Sequence, residues 1–138
     1  MTEETRTGGC LCGAVRFRVR GPMRPVVACH CGQCRRATGN YVAATSAPRG
    51  AVAVEGAVAW FRSSPEARRG FCARCGSNLF WDGPGANLSI MAGALDGPTG
   101  LRLAGHIFCE GRGDWYALPA GEPQAPGADP ALTTQALP

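Results

Sequence analysis

Gly13-Ala-Val-Arg-Phe-Arg-Val-Arg20 decides the fold class, because Val15, Phe17 and Val19 alternate with Arg16, Arg18 and Arg20. A period of two belongs to a strand with one face buried and the other in water, so the arginines are expected outside. Working outward, further strand-like pieces run from Pro25 to Ala28, Tyr41 to Ala47, Ala51 to Glu55, Val58 to Arg62, Ser77 to Trp81, Asn87 to Ala92 and Leu101 to Phe108. Turn-forming stretches such as Ala47-Pro48-Arg49-Gly50, Asp82-Gly83-Pro84-Gly85 and Asp96-Gly97-Pro98 separate most of them. The sequence has one plausible helical turn, from Gln33 to Thr38, stopped by Gly39. With 20 glycines and 11 prolines, the chain reads as mainly β.

A chain of 138 residues falls within the usual size of one domain with one core. Residues 1–118 are expected to form it. Residues 119–138 change composition: five prolines, five alanines and no aromatic residue predict a flexible or loosely docked tail without a core of its own.

The formal charge of +4 comes from arginine, since the chain has no lysine. The arginines are scattered, and only Arg35-Arg36 and Arg68-Arg69 are adjacent. That pattern argues against a nucleic-acid partner and fits an arginine-for-lysine bias of the source. The polar, acidic start Met1-Thr-Glu-Glu-Thr-Arg lacks the basic and apolar regions of a secretory signal, and no stretch is apolar enough to span a membrane. A cytoplasmic location and reduced thiols are expected, and the eight cysteines then read as metal ligands rather than disulfides.

Those cysteines fall into Cys10-Leu-Cys12, Cys29-His-Cys31-Gly-Gln-Cys34, Cys72-Ala-Arg-Cys75 and a single Cys109. Structural zinc favours four tetrahedral thiolates, and cysteines a few residues apart can take two corners of one tetrahedron. One partition joins Cys31 and Cys34 to Cys72 and Cys75 and leaves Cys10, Cys12 and Cys29 unused. The other joins Cys10 and Cys12 to Cys72 and Cys75, with Cys29, Cys31 and Cys34 as a separate three-sulfur site. The second is preferred because it employs seven cysteines. Two zinc ions and seven thiolates would reduce the formal charge to about +1, which further weakens the case for a polyanion partner.

A closed four-thiolate site would staple the N-terminal strand to the hairpin near Cys72 to Ser77. Such sites contribute roughly 10–16 kcal/mol of apparent folding energy, enough to decide whether a small domain folds. A three-thiolate zinc keeps a corner for water or an incoming thiol. Three thiolates leave the ion a weak Lewis acid toward carbonyls, yet it still lowers the pKa of a fourth thiol, so the favoured chemistry is thiol activation at Cys29, Cys31 and Cys34. Arg35, Arg36, Arg68 or Arg69 could hold the carboxylates of an anionic thiol, with solvated surface arginine as the bland reading of each.

Three linked cysteine motifs in this order resemble the family of glutathione-dependent formaldehyde-activating enzymes, which includes the centromere protein V type. The resemblance is carried by Gly8-Gly-Cys-Leu-Cys-Gly13, Cys29-His-Cys-Gly-Gln-Cys-Arg-Arg36 with Gly39, Phe71-Cys-Ala-Arg-Cys-Gly-Ser-Asn-Leu-Phe80, and His106-Ile-Phe108 with Trp115. It implies an Mss4-like fold of short antiparallel strands stapled by zinc. It also implies the second partition: a structural zinc on Cys10, Cys12, Cys72 and Cys75, and a catalytic-type zinc on Cys29, Cys31 and Cys34. The implied activity is that of a carbon–sulfur lyase joining glutathione to formaldehyde as S-hydroxymethylglutathione. Arg35 and Arg36, directly after Cys34 in sequence, are the candidate contacts of the thiol. The competing function is a non-catalytic zinc-stabilised module that binds a protein or nucleic acid.

Three single positions carry separate expectations. His30, between two ligands, should point away from the metal if its segment is extended. His106 is either a proton carrier or a hydrogen-bonded core residue. Cys109 is either a small buried hydrophobe or a fourth ligand closing the second site. Trp60, Trp81, Trp115, Phe61, Phe71, Phe80 and Phe108 are expected to supply core mass, with room for one or two beside a pocket.

Overall fold

A computed structural model describes residues 4–134, so the last four residues of the tail lie outside it. Ten strands form two sheets, and the chain is mainly β as its alternation predicts. The smaller sheet is antiparallel and ordered β1 (Thr5–Gly9), β2 (Arg16–Arg20), β5 (Val52–Glu55). The larger sheet contains β3 (Val26–Cys29), β4 (Val42–Pro48), β6 (Val58–Ser64), β7 (Ala67–Cys72), β8 (Asn78–Asp82), β9 (Asn87–Met91) and β10 (Leu103–Ile107). Its order is β10-β3-β4-β9-β8-β7-β6, antiparallel throughout except for the parallel β10–β3 pair.

Strand β2 buries Phe17 and Val19 and exposes its three arginines, as its pattern requires. These residues and Val15 form the main core with Met23 of the β2–β3 connection and with Leu79, Phe80 and Ile90 from the larger sheet. Phe17 meets Phe80 edge to face at 5.3 Å, a geometry that adds to the area both rings bury. Gly8 is packed closely, since a Cβ there would lie 2.5 Å from the ring of its cross-strand partner Phe17 and 2.4 Å from the Ala94 carbonyl.

The aromatic expectation needs correction. Phe80 is fully buried, but Phe61 and Trp115 are 63% and 57% exposed, and Trp60 and Phe108 are only partly covered. The reason is topological: β6, which carries Trp60 and Phe61, is the edge strand of the larger sheet and has no second layer over its outer part. Aliphatic residues of β2, β8 and β9 fill the core instead.

The helix α1 (Gly32–Thr38) is capped by Cys31 and ends at Gly39, which adopts φ 85 as a left-handed cap. The described part of the tail bonds to β10 and the residue after it. His106 N–H donates to the Pro123 carbonyl at 2.9 Å, Ala125 N–H to His106 at 3.0 Å and Phe108 N–H to Gly127 at 2.9 Å. A short helix, α2 (Pro130–Thr133), capped by Asp129, then buries Leu132 against Val27, Ala104 and Ile107. The tail is therefore laid along β10. Its bonds are mostly main-chain to main-chain, which a composition of proline and alanine does not disclose.

Candidate functional site

Each cysteine pair sits where the chain turns back on itself. Cys10 and Cys12 occupy the β1–β2 turn, where Cys10 N–H donates to the Val15 carbonyl at 3.1 Å and Gly13 takes φ 82. Cys72 and Cys75 occupy the β7–β8 turn, closed by Cys72 N–H to Ser77 O at 3.0 Å, with Gly76 at φ 78. The two turns meet, with Leu11 N–H donating to Ser77 Oγ at 3.0 Å. The four sulfurs lie within 4.8 Å of one another. Cys10 and Cys12 Sγ are 3.6 Å apart and Cys12 and Cys72 Sγ 3.8 Å. A tetrahedron with metal–sulfur bonds of about 2.3 Å has edges of about 3.8 Å, so this donor set fits zinc. The Ser77 hydroxyl and amide hold the Cys75 thiol down to about 5, already favouring the thiolate a metal requires.

The second group is Cys29, Cys31 and Cys34, whose sulfurs also lie within 4.8 Å of one another. Cys29 ends β3, Cys31 caps α1 and Cys34 lies in its first turn. Cys34 N–H donates to Cys31 Sγ at 3.3 Å, and Arg69 Nη2 reaches Cys34 Sγ at 3.6 Å and Gln33 Oε1 at 3.4 Å. Hydrogen bonds from Cys29 and Cys34 and from the helix amide favour Cys31 as thiolate, and the same sharing with Cys31 pushes Cys29 up. Hydrogen bonding among the three sulfurs thus favours the thiolate at Cys31, which suits a cation-binding donor set. Among the described residues no fourth His, Cys, Asp or Glu joins this group. Cys109 is buried and belongs to neither cluster, in keeping with its reading as a small hydrophobe.

A cavity of about 720 Å³ opens on these three sulfurs. Its floor is one face of the larger sheet, read strand by strand: Val27 and Cys29 on β3, Val42, Ala44 and Ser46 on β4, Asn87 and Ser89 on β9. The alternation of period two carries the cysteine ligand and these residues onto the same side. Trp81 and Arg69 close one flank, and Phe108 with Ala128, Thr133 and Thr134 of the tail close the opposite one.

Arg69 therefore stands at the thiols, whereas Arg35 and Arg36 do not line the cavity, and Arg68 instead stacks on Trp60 at 4.0 Å and bonds Asp82. Sequence reasoning missed Arg24, which lines the cavity while only 8% exposed; a single arginine ahead of a strand gave no signal.

His30 bonds away from the three sulfurs. Its Nδ1 is 2.5 Å from Tyr116 Oη and its Nε2 2.9 Å from His106 Nδ1, while His106 Nε2 is 2.5 Å from Glu122 Oε2. The carboxylate can only accept, so His106 Nε2–H donates to it. In its Nε2–H tautomer His106 accepts at Nδ1 from His30 Nε2–H, and His30 Nδ1 then accepts from the tyrosine hydroxyl. Burial, reinforced by His106 and Arg112, depresses the His30 pKa. Tyr116 and Glu122, which sequence reasoning did not single out, complete this chain.

No helix among the described residues is long and apolar enough to cross a membrane. Comparison with curated proteins gives no match. The family description "glutathione-dependent formaldehyde-activating enzyme" matches residues 5–111, a span that contains all eight cysteines and both sheets. The chain therefore belongs to the glutathione-dependent formaldehyde-activating enzyme family.

Proposed function

We propose that this protein is a zinc-dependent carbon–sulfur lyase that joins a glutathione-type thiol to formaldehyde or a related small aldehyde. The observation that carries this reading is the position of Cys29, Cys31 and Cys34: three convergent thiols on the wall of a large, mostly apolar cavity, with no fourth cysteine, histidine or carboxylate among the described residues completing the set. Cys10, Cys12, Cys72 and Cys75 would hold a second, structural zinc, joining two turns rather than facing this cavity.

A zinc ion held by the three thiolates would supply a position that lowers the pKa of an entering thiol. The chain's own residues do the rest. Arg69, 3.6 Å from Cys34 Sγ, offsets negative charge at the thiols. The apolar floor of Val27, Val42 and Ala44 keeps bulk water from the reacting sulfur. In the overall reaction a carbon–sulfur bond forms between the thiol sulfur and the aldehyde carbon, the C=O π pair becomes a hydroxyl, and the thiol's proton ends on that oxygen. Arg69 and Arg24 line the cavity and are placed to meet the carboxylates of such a thiol, the role expected in sequence of Arg35 and Arg36.

The test is metal content, folding and thiol-dependent formaldehyde consumption in Cys31→Ala. The reading expects a folded protein short of one metal with turnover lost by at least about 100-fold, the scale of removing one essential catalytic group. Global unfolding of Cys31→Ala, as with a structural ligand, would return both metals to a purely structural role and favour a non-catalytic binding module.

A further inference from the structure

Arg24 is a buried cation without a counterion. It is 8% exposed, and among the described residues no carboxylate lies within ion-pair distance of it. Burial accordingly depresses its pKa. Keeping a guanidinium out of water without an anion costs several kcal/mol, and such a group is normally paired.

This side chain is also held still. Arg24 N–H donates to the Ser46 carbonyl at 3.1 Å, its carbonyl accepts from Thr45 Oγ1, Nε donates to Ser46 Oγ at 3.0 Å and Nη1 to the Pro25 carbonyl at 3.1 Å. Among the described residues Nη2 has no protein acceptor, and Arg24, Ser46, Asn87 and Ser89 all line the cavity. A fixed, desolvated guanidinium with a free edge and hydroxyls nearby suits one carboxylate better than any neutral group.

The placement also sets a length. Arg24 precedes Pro25 and β3, and a residue before proline is held extended, so five residues separate it from Cys29 along an extended chain of about 3.3 Å per residue. Its backbone therefore lies roughly 16 Å from the thiol group, and the side chain spans part of that interval. A ligand touching both ends must carry its carboxylate about a tripeptide's length, roughly 10 Å, from its sulfur.

We infer that Arg24, oriented by Ser46, is the carboxylate subsite of this cavity and selects an elongated anionic thiol over a short mercapto acid. The inference rests on the thiol reading of the three-cysteine group, but its test does not. S-Methylglutathione carries the carboxylates and has no free thiol, so its affinity reports the carboxylate end independently of thiol addition.

Calorimetry with S-methylglutathione should show about a 10- to 100-fold loss of affinity for the metal-loaded Arg24→Gln protein relative to wild type. Ser46→Ala, which loses only the orienting contact, should lose about 3- to 10-fold and serves if Arg24→Gln does not fold. Arg35→Gln, with the same charge change outside the cavity, should bind within about twofold of wild type. In competition, mercaptoacetate, whose carboxylate sits beside its sulfur, should not distinguish wild type from Arg24→Gln. Equal binding of S-methylglutathione by wild type and both cavity variants, its failure to bind wild type, or an equal loss in Arg35→Gln would overturn the assignment. Loss of thiol-dependent formaldehyde consumption with S-methylglutathione binding intact would count against the lyase reading alone.

Discussion

His30 Nε2 lies 2.9 Å from His106 Nδ1, and this contact joins the cysteine segment to the C-terminal tail. His30 stands between Cys29 and Cys31, and His106 bonds Glu122 in the tail. Both imidazoles are nearly inaccessible to water. An unmade bond in such a chain exposes the desolvation cost of every group left unpaired.

His106→Ala should therefore cost about 1–3 kcal/mol, since it leaves His30 Nε2 and the Glu122 carboxylate without partners. Glu122→Gln keeps the shape and should cost less. Denaturant midpoints measure both. Amide exchange in residues 119–127 should accelerate in His106→Ala, whereas unchanged exchange there would show that main-chain bonding alone holds the tail.

Leu132 is the tail's apolar anchor, packed on Val27, Ala104 and Ile107, and its neighbours Thr133 and Thr134 line the cavity. Leu132→Ala should free residues 128–134 and open that wall. The expected result is a several-fold rise in KM for the thiol with metal content unchanged and kcat nearly so. A fall in kcat with KM constant would mean that the tail does more than bound the cavity.

The two cysteine groups predict different losses. Cys12→Ala removes a ligand from the site that joins two turns, and the melting temperature should drop far more than in Cys31→Ala, because structural zinc supplies roughly 10–16 kcal/mol in small zinc-folded modules. Differential scanning calorimetry separates them. Equal shifts would contradict the division of roles.

Asp82 lies between Arg49 and Arg68. Burial alone would raise its pKa, but hydrogen bonds from Arg68 and Arg49 outweigh that and lower it. A carboxyl depressed in the folded state contributes stability that is present above the unfolded value of about 3.9 and is lost as pH falls through the folded value. Asp82→Asn should thus be less stable than wild type at neutral pH, and the difference should shrink below about pH 4. Urea titrations across that range measure it, and a pH-independent difference would assign the loss to packing.

Much of the fold could be read from side-chain alternation, most directly in β2, where apolar and arginine residues strictly alternate. Strand β7 was not legible because Ala67-Arg-Arg-Gly-Phe-Cys72 has no such period, and its Gly70 is required by a neighbour: a Cβ there would lie 2.8 Å from the Trp60 ring. Strand β1, with Gly8 and Gly9 in five residues, was hidden for a similar reason.

Within the candidate site, the cysteine groups followed from spacing, because ligands of one ion must be close in the chain or brought together by turns. Arg24, Tyr116 and Glu122 did not. Their roles depend on pairing between strands and on the course of the tail, neither of which leaves a local pattern. Arg35 and Arg36 illustrate the converse, since proximity to Cys34 in sequence placed them on a helix outside the cavity.

The most direct test of the account is electronic absorption of the cobalt-substituted protein titrated with glutathione. A three-thiolate site with room for a further sulfur predicts that sulfur-to-cobalt charge-transfer intensity grows saturably with glutathione in wild type and does not change in Cys31→Ala. A spectrum of two complete protein-ligated centres, indifferent to glutathione in both proteins, would contradict it.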